Sequence, residues 1–150
     1  DHDRCVGCGR CLALCPKDAI EPSFDAKAEI LNAKIAEYSK AVCAGRPNFH
    51  ISIVRDVSPN CDCHSENDAP IVPDVGMFAS FDPVALDVAC ADAVNRQPVL
   101  AHSQLAEACA HSEDPDHFRH VHPNTDWRTA IAHGVKIGLG QDHYELISVK

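Results

Sequence analysis

Four cysteines near the start of the chain have the spacing of an iron–sulfur ligand set. They follow the pattern C-x₂-C-x₂-C-x₃-C-P and are Cys5, Cys8, Cys11 and Cys15, with Pro16 next. Thiolates at this spacing ligate [4Fe–4S] clusters, because each iron of such a cluster takes a soft sulfur ligand. Zinc sites typically use two C-x₂-C pairs set well apart. We therefore predict a [4Fe–4S] cluster and keep zinc as the alternative occupant.

The fourth cysteine complicates this prediction. In two-cluster proteins the first three cysteines of such a run bind one cluster, and the fourth binds the other. Cys5, Cys8 and Cys11 would then need another ligand, yet no second C-x₂-C-x₂-C run occurs in the 150 residues. All four may be read as ligands of one cluster, a later cysteine can complete the set, or the partner run lies upstream. The chain starts at Asp1 rather than at Met, so we expect it to be the C-terminal part of a longer protein.

Cys61 and Cys63 are the candidate later ligands. They are separated by one residue in a segment rich in Pro, Asn and Asp. In an extended segment such residues face the same side, roughly 6.5–7 Å apart between Cα atoms. Both thiols could therefore reach one metal centre, whereas a disulfide between them has poor geometry. The neighbouring His64 is expected to be a solvated loop residue, with metal ligation as the alternative.

Three aspartates are candidate catalytic residues, namely Asp74, Asp82 and Asp87. Asp82 precedes a proline, which is the preferred start of a helix. Asp74 lies among prolines and suits a turn. Asp87 falls on the opposite side of the predicted helix from Asp92 and Arg96. We therefore predict that it points into the interior or a cleft, where a carboxylate needs a partner or a shifted pKa.

Apolar periodicity predicts helices that alternate with short strands. The expected helices cover residues 25–43, 83–96, 101–111 and 126–139, and the expected strands cover 49–57, 75–80 and 144–149. Residues 112–123 are predicted to be a polar loop, in which His117, His120 and His122 are solvated or, alternatively, bind zinc or nickel. The fold class is predicted to be α/β, with mixed α+β as the alternative. We expect a cluster loop over residues 1–22 and an α/β domain over 23–150, with a mixed sheet flanked by helices, packed as one unit.

Composition excludes several classes of partner. The net charge is −9 and the basic residues are scattered, so no Lys/Arg patch is available to meet nucleic acid or an anionic membrane. No apolar run approaches the ~20 residues of a membrane span. Nine cysteines would leave one unpaired in a disulfide framework. Their clustering instead favours metal ligation in a reducing cytoplasm.

Several stretches beyond the cysteine run resemble the family of uncharacterised Fe–S centre proteins called DUF362. The segment 58–63 is similar to that family's T-P-x-C-D-C stretch, and 68–76 and 82–87 also resemble it. His122, Trp127 and the segment 138–140 fit its C-terminal end. The resemblance implies ferredoxin-type cysteine motifs, often two in series, of which this chain would carry the second. It implies no settled biochemical activity.

Three functional hypotheses follow from these patterns. The leading one is an iron–sulfur protein that passes single electrons to a redox partner protein or domain. The second is an enzyme whose site uses Cys61, Cys63 and the three aspartates, with the cluster as electron relay or structural staple. The third is a zinc-stabilised binding module.

Overall fold

The computed structural model describes residues 4–5, 10–17, 19–20, 28–61, 67–109 and 115–149. These residues form six helices and two strands, in the order α1 (Arg10–Leu14), α2 (Ala28–Cys43), β1 (His50–Val54), β2 (Gly76–Ser80), α3 (Pro83–Asn95), α4 (Gln104–Ala108), α5 (His117–Val121) and α6 (Arg128–Lys136). This mixture of helices and sheet agrees with the predicted fold class. None of the described helices is long and apolar enough to cross a membrane.

The strands β1 and β2 pair antiparallel, with His50 opposite Ser80 and Val54 opposite Gly76. Both strands were predicted, with wider bounds. A mixed sheet was also predicted, but the described residues form only this two-stranded antiparallel sheet. The predicted strand over residues 144–149 is wrong, because this segment pairs with no described strand. Apolar composition alone does not make a strand without a neighbour to complete the ladder.

Helix α3 packs on one face of the sheet and also contacts α6. Its start is capped as predicted: Asp82 Oδ1 accepts a hydrogen bond from the backbone N–H of Ala85 at 2.9 Å, and Pro83 occupies the first turn. Most of its side chains are small or apolar, so it can be enclosed on several sides. Its buried residues are Val84, Ala85, Leu86, Ala89, Ala91 and Val94.

The principal apolar core lies where α3, α4 and α5 meet the segment before β2. Its buried members are Ile71, Val72, Val94, Leu105 and Val121. The segment is held in place by backbone hydrogen bonds from Ile71 N–H to Val57 at 2.8 Å and from Leu100 N–H to the Ile71 carbonyl at 3.0 Å. Burying a side chain of this size stabilises the fold by about 1.5–3 kcal/mol.

Helix α2 was correctly predicted, but its apolar face is not buried. Leu31, Ile35, Tyr38 and Val42 are each more than half exposed. Polar side chains contribute to its contact with α6: the Asn32 amide donates to the Asp126 carbonyl at 2.9 Å, and Lys40 Nζ donates to the Ile137 carbonyl. The apolar stripe of α2 is therefore left on the surface.

The predicted polar loop over residues 112–123 contains helix α5 instead. Asp116 caps this helix, accepting from the backbone N–H of Phe118 at 3.1 Å, although it is only 2% exposed. Burial raises the pKa of the Asp116 carboxyl, but hydrogen bonds from Arg128 and Trp127 outweigh it and hold that pKa below its ordinary value. A five-residue helix is too short to show apolar periodicity, and the loop prediction failed for that reason.

Candidate functional site

Three of the four cysteines in the N-terminal run lie in the described residues, and Cys8 lies outside them. Cys11 belongs to α1 and Cys15 follows that helix directly. The backbone N–H of Cys15 donates to the Leu12 carbonyl at 3.4 Å, so the helical turn continues to this residue. Residues four apart on such a turn share one side of it. Cys5 and Cys11 are exposed, and Cys15 is half-buried.

Backbone N–H groups surround the sulfur of Cys15. Hydrogen bonds from the backbone N–H of Lys17 and then Ala19, with a lesser one from Ile20, lower the pKa of this thiol and outweigh the opposing effect of burial. The Ala19 nitrogen lies 3.4 Å from Sγ. Donors aimed at a sulfur stabilise the thiolate, which is the form that ligates metals. This environment suits Cys15 to metal ligation.

The cysteines of the N-terminal run provide soft sulfur ligands, which suit an iron–sulfur cluster or a zinc ion. A closed ligand shell is a further requirement. In the part of the chain that the structure describes, no three His, Cys, Asp or Glu side chains come close enough together to hold a metal ion. Residue types and the N–H donors at Cys15 therefore fit the predicted group, while the gathering of its ligands is not seen among the described residues.

The loop of residues 58–60, which directly precedes Cys61, is held by the side chain of Asn67. Asn67 Oδ1 accepts from the backbone N–H of Asn60 at 3.2 Å. Its Nδ2 donates to Ser58 Oγ and to the Asn60 carbonyl, both at 3.1 Å. Cys61 itself is exposed. The loop is thus fixed before it presents this thiol, whereas Cys63 and His64 lie outside the described residues.

His122 secures the same loop from a distant part of the chain. Its ring Nε2 lies 2.7 Å from the carbonyl oxygen of Pro59, so this nitrogen carries the hydrogen and donates it. Pro59 is itself buried. His117 likewise contacts a backbone carbonyl, that of Gln97, at 3.0 Å. The sequence pattern predicts that His122 is a solvated loop residue, like His117 and His120. Nothing in the spacing of these histidines indicates that His122 supports the Cys61 loop.

Asp74 and Asp82 both bind backbone N–H groups. Asp74 Oδ1 accepts from Asp56 at 2.9 Å, and Asp56 has a positive φ of 48°, so the bond stabilises an uncommon turn conformation. Asp82 accepts from Ala85 through Oδ1 and from Gln141 through Oδ2, each at 2.9 Å. Both carboxylates therefore stabilise local backbone structure through these hydrogen bonds.

Asp87 is exposed, so it does not point into the interior, and its predicted position in a cleft stays a prediction. Surrounding residues of the chain nevertheless partly desolvate its carboxyl, which raises the pKa of Asp87. The charge of His50 lowers this pKa by a smaller amount. One helical turn later, burial raises the pKa of the Cys90 thiol, which also bonds with Ser52. His50 and Ser52 alternate along β1, which brings them to the face that packs on α3. This cluster of Asp87, Cys90, His50 and Ser52 was not predicted from the sequence. The alternation of residues along β1 is the signal that could have indicated it.

A cavity of about 790 Å³ lies elsewhere, between β2, α3 and the C-terminal segment. Its lining includes Met77, Ala79, Leu86 and Ile147. None of the candidate cysteines and aspartates that the structure describes contributes to it. The cavity is therefore separate from the candidate site.

A family model described as a domain of unknown function, DUF362, matches residues 8–92, which is more than half of the chain. The match contains Cys8, Cys11, Cys15 and Cys61, as well as the three candidate aspartates. No curated protein and no solved structure matches the chain.

Proposed function

The chain belongs to the DUF362 family, and from that premise we propose that it binds a [4Fe–4S] cluster and transfers single electrons. Cys5, Cys8 and Cys11 would each provide one thiolate, and the fourth would come from Cys15 or from a later cysteine. A bound cluster would supply one-electron redox chemistry. The observation that carries the proposal is the N–H environment of Cys15 within the four-cysteine run.

Cys15 supports the proposal because a ligand must lose its proton before it binds a metal. Its lowered pKa reduces that cost at neutral pH. N–H donors to ligand sulfur are also among the features that set the reduction potential of a cluster. In the proposed role, the backbone N–H groups of residues 17, 19 and 20 stabilise the Cys15 thiolate, the form that binds the metal.

If Cys15 instead binds a second cluster, Cys61 is the described candidate for the fourth thiolate. It is exposed, and its loop is fixed by the side chains of Asn67 and His122. A ligand held by its own supports loses less conformational freedom when it binds. Cys63, two residues further on, is the alternative from the same loop, and an upstream cysteine run is the third possibility.

The partner in this proposal is a redox protein or domain. Cys5 and Cys11 are both exposed, so a centre built on them would lie near the surface. Such a position allows electron exchange with a docked partner without a substrate pocket. The net charge of −9 favours partners that present a basic surface.

A second candidate function is catalysis at Asp87. The observation that favours it is the raised pKa of this carboxyl beside His50 and Cys90. Asp74 and Asp82 are committed to backbone N–H groups, which leaves Asp87 as the acid or base of this candidate enzyme.

The decisive experiment is metal and acid-labile sulfide analysis of the chain after anaerobic reconstitution with iron and sulfide, followed by EPR of the reduced protein. We expect iron, sulfide and the signal of a reduced cluster. Cys11→Ser should lose most of the bound iron, while Cys43→Ser, a cysteine outside the run, should retain it. Iron-free protein with tightly held zinc would reject the cluster and indicate the zinc-stabilised module instead.

Two further variants separate the alternatives within the proposal. Cys61→Ser should lower iron content if Cys61 is a ligand, and should leave it unchanged if the extra thiolate comes from elsewhere. Asp87→Asn should keep the cluster spectrum and the rate of electron exchange with a viologen dye. A loss of that exchange in a folded, cluster-loaded Asp87→Asn protein would favour the enzyme.

A further inference from the structure

One face of the two-stranded sheet is apolar and exposed in the part of the chain that the structure describes. Strand alternation places one set of side chains away from α3, and each large member of that set is between 54% and 78% exposed. We call this set the outer sheet face, and its large members are Phe49, Ile51, Ile53, Met77 and Phe81. The opposite face packs on α3, so α3 leaves the outer sheet face uncovered, and Met77 and Ala79 at its edge also border the cavity beside the C-terminal segment.

The members of the outer sheet face form one continuous surface. Ile53 lies opposite Met77 in the register, and Ile51 lies opposite Ala79. The rings of Phe49 and Phe81 extend this pairing beyond the strands, with centroids 4.9 Å apart. None of these six side chains carries a charge or a hydrogen-bonding group.

The exposed area is large enough for a specific interface. A side chain of this size carries on the order of 150–200 Å², so five of them at these exposures present roughly 600 Å². Typical monomers expose no more than about 300–600 Å² in their largest apolar patch. Two such faces would bury about 1,200 Å² in total, which reaches the range of stable, specific interfaces.

We propose that the outer sheet face binds the same face of a second copy of this chain. A two-fold axis needs only one self-complementary patch, and it brings apolar side chains onto apolar side chains. Two twisted sheets pack face to face about 10 Å apart with interdigitating side chains. The absence of charge on the face matters, because two copies that each carry a net charge of −9 can then meet without an unpaired buried ion. The resulting layers are helix, sheet, sheet and helix.

The test is sedimentation equilibrium of the 150-residue chain over a wide concentration range. We expect a reversible dimer of twice 16.2 kDa. Ile53→Lys should weaken the dimer by about 100-fold or more, because each dimer would bury two ammonium groups. Met77→Lys, on the other strand, should do the same. Leu31→Lys introduces the same charge on the exposed stripe of α2 and should leave the dimer intact.

Far-UV circular dichroism identifies any variant that does not fold, and the two strand variants serve as independent tests. Three outcomes would overturn the proposal: a wild-type monomer at every concentration, a dimer that survives both strand variants while they remain folded, or a dimer lost in Leu31→Lys alone. A monomer would indicate that another chain segment or another protein covers the face. The test does not depend on the cluster and can be run on metal-free protein as well.

Discussion

The carboxylate of Asp82 occupies the space that a side chain at residue 140 would need. A Cβ placed on Gly140 would lie 2.7 Å from Asp82 Cγ and closer still to Oδ1. The same carboxylate accepts hydrogen bonds from Ala85 at the start of α3 and from Gln141. Asp82 therefore joins the first turn of a buried helix to a turn near the end of the described chain.

Gly140→Ala should destabilise the protein by about 2–4 kcal/mol, since it combines overpacking with loss of the helix cap. Urea denaturation measures this directly. Gly45→Ala is the matched control, because Gly45 has a φ of +69° but no atom of the described residues lies within 4 Å of the added Cβ. It should cost only about 1 kcal/mol of backbone strain. A Gly140→Ala protein as stable as wild type would show that the contact between residues 82 and 140 contributes nothing.

Arg128→Met should reveal the pH dependence of the buried Asp116 carboxylate. The pKa of Asp116 is lower in the folded protein than in the unfolded chain, where it is about 4. The ionised carboxylate therefore stabilises the fold fully at pH values above the unfolded pKa, and this stabilisation is lost as pH falls through the folded pKa. We expect the variant to lose about 2 kcal/mol at neutral pH, and the difference from wild type to shrink in acid.

Arg96→Met provides the control for Arg128→Met. Its guanidinium lies 4.0 Å from Asp92 and both side chains are exposed, so the loss should stay below about 1 kcal/mol at all pH values. Thermal unfolding at several pH values measures both variants. A pH-independent loss in Arg128→Met would contradict the assignment of the effect to Asp116.

Asn67→Ala should loosen the loop that presents Cys61. The variant loses the bond that Asn67 Oδ1 accepts from the backbone N–H of Asn60 and the two that its Nδ2 donates to Ser58 and Asn60. The backbone amide of Asn60 should therefore exchange hydrogen faster. Mass-spectrometric hydrogen exchange of the peptide over this loop is the measurement. Asn48→Ala removes an asparagine that bonds the Cys43 and Arg46 carbonyls, and it should leave the loop's exchange unchanged. Unaltered exchange in Asn67→Ala would mean that the loop is held by other contacts.

Cys15 should be alkylated at lower pH than the cysteines of the core. N–H donors lower its thiol pKa, whereas burial raises the pKa of Cys90 and of Cys109. Because the thiolate is the reactive form, the rate for Cys15 should rise at a lower pH as the solution is made basic. Iodoacetamide labelling of metal-free protein followed by peptide mapping measures the three residues together. Identical pH profiles would remove the support that Cys15 gives to metal ligation.

Local patterns predicted the elements that have strong local causes. The Asp82–Pro83 pair fixes the start of α3, and small apolar residues predict its burial. The predicted strand over 144–149 failed because pairing depends on a neighbour that no local pattern reveals. The buried Asp116 escaped prediction for a related reason: its partners Trp127 and Arg128 lie 11 and 12 residues away, beyond any helical or strand period.

The candidate site also combines features that local sequence predicts with features that depend on distant residues. The spacing of Cys5, Cys8, Cys11 and Cys15 is a local signal and could be read directly. The support of the Cys61 loop by His122 spans 63 residues of sequence and emerges only when the chain folds. The prediction that Asp87 points into the interior or a cleft rests on helical angles alone. The packing of α3 against β1 leaves that side chain at the surface next to His50.

Trp127 is the single tryptophan of the chain, and its surroundings make it an optical reporter. The Arg128 guanidinium carbon lies 4.6 Å from the centre of the indole ring, and the ring of Phe118 lies 6.1 Å away. The indole N–H donates to Asp116 at 3.2 Å. Intrinsic fluorescence excited at this one chromophore therefore follows the C-terminal half of the fold, without any label and without interference from a second indole.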